Sequence, residues 1–150
     1  MAQNTQIVTS RAKFSIHLQG PPLLDKARKA LVLAIAPSSN FRVGAALLTG
    51  NSTVFTGCNI ESPVYLGVCA ERVALFKALS EGAREFVALA IACEGPLPLL
   101  PCGTCRQLLW EFAPKLRIVV EEKGRVKAYR LQDLLPIPFE RNGRGPFRSQ

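Results

Sequence analysis

Residues 69–105 read CAERVALFKALSEGAREFVALAIACEGPLPLLPCGTC, and the order of patterns along this stretch decides the fold. From Cys69 the apolar residues Val73, Leu75, Phe76 and Leu79 recur at helical spacing, and Gly82 supplies a stop signal, so a helix is expected over 69–81. Phe86–Cys93 is an unbroken apolar run of the kind carried by a strand buried on both faces. The Pro-rich loop Gly95–Pro101 then leads to a second helix, Gly103–Phe112, ended near Pro114. Helix, buried strand and helix in succession describe a sheet with helices laid on it.

The flanks extend the same plan. Upstream, Arg42–Thr49 and Thr53–Cys58 read as strands joined by a turn at Gly50-Asn51-Ser52, with a loop Asn59–Val68 after them. Before these, Pro21-Pro22 starts a helix whose apolar positions are Leu24, Ala27, Leu31, Ala34 and Ile35, and Pro37-Ser38-Ser39-Asn40 ends it. Downstream, Leu116–Glu121 and Arg125–Tyr129 read as strands around Lys123-Gly124, followed by a short helix at Leu131–Leu135. The order α-β-β-α-β-α-β-β-α predicts an α/β domain over residues 1–140. Its form would be three layers, α/β/α, with a mixed five-stranded sheet covered by helices on both faces. Residues 141–150 read as a basic, mobile tail.

Composition narrows the function. Of the 150 residues, 48% are hydrophobic and 20% charged, which describes a globular chain and not a disordered one. Lys and Arg outnumber Asp and Glu by 19 to 11, giving a net charge of +8. The basic residues are scattered apart from Arg141, Arg144 and Arg148, among which only Phe147 could stack on a base, so nucleic-acid binding is not expected. No segment approaches the roughly 18 apolar residues of a membrane span. The start lacks a basic-then-apolar export pattern, so a soluble, cytoplasmic protein is expected. Five cysteines are an odd number for a reducing compartment and point to ligands or catalytic groups instead of disulfides.

Three of the five, Cys69, Cys102 and Cys105, sit where a loop feeds a predicted helix. Unsatisfied N–H groups and the positive end of the helix dipole favour thiolate there. Thiolates bind zinc, and the Cys-x-x-Cys spacing lets two of them hold one ion from a single turn. A closed structural zinc site needs four protein ligands, whereas a catalytic one leaves a position for water. The candidates for a fourth ligand read otherwise: Cys93 as a core residue in an apolar strand, Cys58 as packing at a strand end, and His17 as a lone histidine without a partner motif. Glu71, two residues after a proposed ligand, can reach the open position without occupying it, as a general base for the metal's water requires.

The pattern Cys-x-Glu followed by Pro-Cys-x-x-Cys is that of zinc deaminases, in which the glutamate stays outside the metal shell. With Phe41-Arg42-Val43-Gly44-Ala45-Ala46, Gly57-Cys58-Asn59-Ile60-Glu61, Cys69-Ala70-Glu71-Arg72 and Pro101-Cys102-Gly103-Thr104-Cys105-Arg106-Gln107 in register, the chain resembles the small homotetrameric cytidine deaminases from about Leu24 to Phe139. The resemblance implies zinc held by Cys69, Cys102 and Cys105, and water added to C4 of cytidine or deoxycytidine. Glu71 would take the water's proton, deliver one to N3 and help ammonia leave. It further implies substrate contacts from Phe41 to the base and from Asn59 and Glu61 to the ribose hydroxyls, with Ala70 beside them. Arg72 would bond the thiolate sulfurs, and Phe139 would close a neighbouring subunit's site.

Asn59 also reads as a turn residue after a strand, and Phe139 equally as a core or lid residue of its own subunit. The chain departs from the family's usual pattern at Ser38, where tyrosine is common. It departs again at 62–68, which is one residue shorter and carries Pro63. Both departures bear on substrate range and assembly. Two rival readings stand beside this one. The first is a deaminase of another aminopyrimidine nucleoside, such as a blasticidin-type antibiotic, or of a base in a nucleic acid. The second is a zinc-stabilised interaction module in which Glu71 is incidental.

Overall fold

The computed structural model describes residues 14–95 and 99–140, so the expected tail at 141–150 lies outside the described residues. The elements are α1 (Ile16–Leu31), β1 (Val43–Thr49), β2 (Val54–Cys58), α2 (Ala70–Ser80), β3 (Phe86–Cys93), α3 (Gly103–Phe112), β4 (Arg117–Glu122), β5 (Arg125–Arg130) and α4 (Leu131–Leu134). The strands form one mixed sheet in the order β2-β1-β3-β4-β5, in which β3 and β4 are parallel and every other neighbouring pair is antiparallel.

Alternation along the strands divides the core in two. Ala45 and Leu47 of β1, Leu89 and Ile91 of β3, and Ile118 and Val120 of β4 face α2 and α3, meeting Ala70, Ala74, Leu75, Ala78, Leu109 and Trp110. Their sequence neighbours Ala46, Leu48, Ala88, Ala90 and Val119 face the other way and meet Leu23, Leu24 and Ala27 of α1. This is the expected three-layer arrangement, and it explains why β1 is buried at every position. At the sheet's edge, β5 is different: Arg125, Lys127 and Arg130 are exposed, between half-buried Val126 and Ala128.

One helix departs from expectation at both ends. It begins at Ile16, before the Pro21-Pro22 pair, and stops at Leu31. Two interior prolines forfeit helix hydrogen bonds, so local propensity alone would not extend the helix backwards. Tertiary packing does: Phe14 joins the α1-side core, and the Gly20 backbone lies against Val119 and Val126 of the sheet, where a Cβ would come within 3.0 Å of Val126 Cγ1. At the other end, Ile35 leaves the helix because its backbone forms a parallel bridge with Ile60. Its N–H donates to Asn59 O at 3.0 Å and its carbonyl accepts from Glu61 N–H at 2.7 Å.

The remaining geometry follows from the parallel pair. Antiparallel pairing of β1 with both β2 and β3 makes β2, β3 and β4 run in one direction, with α2 and α3 as the returns between them. Each helix therefore starts at the same edge of the sheet, past the carboxyl ends of β2 and β3. In open α/β sheets this is the edge where ligands bind.

Helix α1 lies close on β1 because Gly44 has no side chain. A Cβ there would fall 2.0 Å from Ala27 O and 2.5 Å from Leu31 N, both rigid backbone. Gly44→Ala should therefore destabilise the fold by about 3 kcal/mol, the upper end for overpacking. That corresponds to a Tm lower by roughly 6–12 °C in thermal unfolding followed by circular dichroism. An unchanged Tm would mean that α1 does not sit where described.

Candidate functional site

At that edge Cys69 is the N-cap of α2 and Cys102 the N-cap of α3, while Cys105 lies in the first turn of α3. Neither cap's sulfur accepts from the backbone N–H groups of its own helix, which leaves both free for another partner beside the positive end of the helix dipole. The three Sγ atoms lie within 4.8 Å of one another. Gly57 makes this approach possible: a Cβ there would lie 2.4 Å from Ala70 O and 2.6 Å from Ala74 N, so α2 rests directly on β2.

The sulfurs are electrostatically unequal. The Cys105 thiol donating to it and then the Arg72 guanidinium lower the Cys69 pKa to about 5, against the opposing effect of burial. Arg72 Nη2 lies 3.6 Å from Cys69 Sγ. Cys105, fully buried, is pushed upward instead, first by its hydrogen bond to Cys69, then by burial and the negative charges of Glu71 and Cys69. Three thiolates this close repel one another, and a divalent cation removes that cost. Three sulfurs with no fourth protein ligand among the described residues suit zinc with one position left for a small molecule. His17 is exposed on α1, across the sheet from the cluster. Cys93 packs against the α2/α3-side core, and neither it nor Cys58 is in the cluster.

Glu71 is 4% exposed. Burial is the main reason its carboxyl is raised to about 7, and the negative charge of Cys69 adds to the shift. A buried carboxylate beside a cluster of potential metal ligands, poised near neutrality, is the form a proton carrier takes. It lines a cleft of about 250 Å³ together with Ser39, Phe41, Val43, Asn59, Cys69, Ala70, Leu99, Leu100 and Cys102. Of the residues singled out in the sequence, the cleft thus gathers Phe41, Asn59, Cys69, Ala70, Glu71 and Cys102.

Asn59 lines the cleft, whereas Glu61 is joined to it only through Ser39. The Asn59 Oδ1 accepts from Val43 N–H at 2.8 Å and its Nδ2 donates to Phe41 O at 2.9 Å, so the side chain braces the entry to β1. One lone pair and one N–H remain for another partner. The Glu61 carboxylate accepts from the N–H groups of Ser38 and Ser39, at 2.7 and 3.2 Å, and from the Ser39 hydroxyl. These bonds hold its pKa below the usual carboxylate range, the Ser39 hydroxyl contributing most.

Ser39 is a residue of the site that sequence reasoning misses. It lines the cleft, bonds Glu61 and accepts from Phe41 N–H at 3.1 Å. Its only signal is a serine in the turn before Phe41, a position with an ordinary turn explanation. Phe139 does not line the chain's own cleft; its ring is 71% exposed.

Comparisons with known proteins agree with this geometry. A family model described as the cytidine and deoxycytidylate deaminase zinc-binding region matches residues 22–121. A cytidine deaminase of Sporosarcina psychrophila is 42% identical over 122 residues, 79% of this chain and 90% of that protein. A crystal structure of cytidine deaminase from Burkholderia pseudomallei superposes with a TM-score of 0.76 at 44% identity, covering 84% of this chain and all of that one. A blasticidin-S deaminase of Bacillus cereus is 28% identical over 141 residues, 86% of this chain and 98% of that protein.

Metal analysis of the purified protein should find one zinc per chain. Cys69→Ala, Cys102→Ala and Cys105→Ala should each lose it, while Cys58→Ala, Cys93→Ala and His17→Ala keep it. Loss of zinc in Cys58→Ala or His17→Ala would indicate a closed, four-ligand structural site.

Proposed function

The chain belongs to the zinc-dependent cytidine and deoxycytidylate deaminase family, and on that footing we propose that it hydrolyses cytidine and deoxycytidine to uridine and deoxyuridine with release of ammonia, a step of pyrimidine salvage. The observation that carries this reading is the buried carboxylate of Glu71 sharing one cleft with three clustered sulfurs. When bound, zinc would acidify a water and hold it at the position the three cysteines leave open.

The chain's own groups supply the rest. Phe41 and the Leu99-Leu100 wall offer apolar surface to the faces of a pyrimidine, and Ala70, lacking a long side chain, leaves room beside Glu71. Glu61, held by Ser38 and Ser39, and the unused bonding capacity of Asn59 suit a sugar's vicinal hydroxyls. Glu71 takes a proton from water as its oxygen bonds to C4, and delivers that proton to N3. It then takes the proton of the hydroxyl now on C4 and passes it to the exocyclic nitrogen as the C4–N bond breaks, leaving a carbonyl at C4 and free ammonia. Burial makes the protonated carboxyl an unstrained resting form between the two transfers. Arg72, beside Cys69, would ease the negative charge of the thiolates.

A homotetramer with shared clefts fits the exposed apolar surface. Leu33, Ile35, Ile60, Val64, Tyr65 and Leu66 are exposed, and the Ile35–Ile60 bridge brings their two segments side by side. Phe139 on this reading reaches the cleft of a neighbouring copy. No helix among the described residues is long and apolar enough to cross a membrane, and a thiolate cluster suits the reducing cytoplasm.

Four measurements test these statements. Ammonia release should be fast with cytidine and deoxycytidine and slow with blasticidin S and with cytosine in single-stranded DNA; preference for either of the latter overturns the substrate assignment. Light scattering at micromolar concentration should give a tetramer, and a fully active monomer would exclude shared clefts.

Glu71→Gln should keep zinc and cytidine binding while kcat falls by at least about 10²–10⁴-fold, the contribution of a general acid–base group. The same variant should stabilise the zinc-free protein. Below pH 4.5 the carboxyl is neutral in both states and costs nothing. Between 4.5 and about 7 it ionises freely in the unfolded chain but is held protonated by burial in the folded one, so the fold loses stability across that window and no further above it. The gain from glutamine should therefore grow across that window to at most about 3 kcal/mol. Turnover within a few-fold of wild type would make Glu71 a bystander.

A further inference from the structure

Gln107 holds Phe139 by both of that residue's main-chain polar groups. Gln107 Oε1 accepts from Phe139 N–H at 2.9 Å, and Gln107 Nε2 donates to Phe139 O at 2.9 Å. A side-chain amide bonded in this way imitates a neighbouring β-strand and fixes both the place and the direction of the backbone it grips. Its orientation is also determined: Nε2 donates to Glu111 Oε1 at 3.1 Å, one helical turn on, which a flipped amide could not do.

The preceding residue grips the other end of the same segment. Arg106 Nε donates to Pro101 O at 2.6 Å and its Nη1 to Leu134 O at 3.2 Å. Between these anchors lie Pro136 and Pro138, whose rings restrict φ and which offer no N–H of their own. The segment is thus stiff and tied at two points to the helix that carries Cys102 and Cys105. Yet Ile137 is 88% exposed and Phe139 is 71% exposed. The chain spends its hydrogen bonds on the backbone here and buries neither side chain, so packing within the protomer does not account for the clamp.

We infer that Gln107 is a positioning residue, whose amide fixes the arm that presents Phe139 to the cleft of a second copy of this chain. The inference rests on the reading of Phe139 as part of a neighbouring cleft. An unclamped arm would have to be ordered each time substrate is covered, and that cost would weaken binding. Because α3 holds both the clamp and two of the three sulfurs, one rigid helix sets the arm relative to its own protomer's metal centre.

The test compares Gln107→Ala, Phe139→Ala and the double variant on cytidine, with zinc content, oligomeric state and hydrogen exchange of residues 134–140 measured alongside. Phe139→Ala should raise KM about tenfold and Gln107→Ala about fivefold or more, with smaller changes in kcat, for losses of the size expected when an ordered contact is removed. The double variant should be within about twofold of Phe139→Ala alone, since the clamp acts only through the ring. Exchange at 134–140 should quicken in Gln107→Ala while 103–112 stays protected. Gln107→Glu, which loses the donor and sets a charge against Glu111, should behave like Gln107→Ala.

A normal KM in Gln107→Ala when Phe139→Ala is impaired overturns the inference, as do multiplying effects in the double variant or loss of zinc in Gln107→Ala. A normal KM in Phe139→Ala removes both this inference and the assignment of Phe139. The deaminase reading is untouched by either result, because it stands on Glu71→Gln.

Discussion

Like charges drawn together at the end of a sheet are the constraint on which the rest of this molecule depends. Three sulfurs within 4.8 Å of one another need a cation to be thiolates together. They can be brought so near only because two helices begin at the same edge of the sheet, one resting on Gly57. The arrangement is made from the parallel run of β2, β3 and β4, and the alternating burial of those strands supports it. Glu71 is part of the same compromise. Its position on the first turn of α2 puts it against the core, where a carboxylate is costly, and that cost lifts its pKa to about 7.

Much of this was legible in the sequence, for identifiable reasons. Phe86–Cys93 and Gly103–Phe112 fall where the apolar run and the Cys-x-x-Cys start put them, because burial on both faces and a helix N-terminus each leave a local signature. Cys69, Cys102, Cys105 and Glu71 come together because spacing and helix starts constrain them jointly. The first helix was misplaced since proline reads locally as a start. In the structure, Phe14 and Gly20 pack on the sheet strongly enough to carry the helix past it.

Other features leave no such trace. Asn59 and Gln107 act through hydrogen bonds to backbone groups 16 to 32 positions away, and Ser39 through a bond to a carboxylate 22 positions away. Nothing in a serine, a glutamine or an asparagine announces such a partner. Asn59 shows how two readings can both hold. It braces a turn, as a residue after a strand often does, and the same bonds hold its remaining N–H and lone pair near the mouth of the cleft. In the sequence Arg106 and Gln107 are only the tail of a cysteine motif, although in the structure they join that motif to the far end of the described chain.

The basic side chains along β5 give part of the net charge a use that no ligand requires. An edge strand offers unpaired N–H and C=O groups to any other edge, and a sheet with an inviting border can grow by adding molecules instead of strands. Here two such borders meeting would bring Arg125, Lys127 and Arg130 of each against their counterparts, although Lys127 is partly neutralised by Glu122 and Arg130 by Asp133. Mutual repulsion between desolvating cations discourages that contact before any backbone bond can form. The charge along this border thus acts as a fence on the β5 side of the sheet, strongest in dilute salt, where screening is weakest.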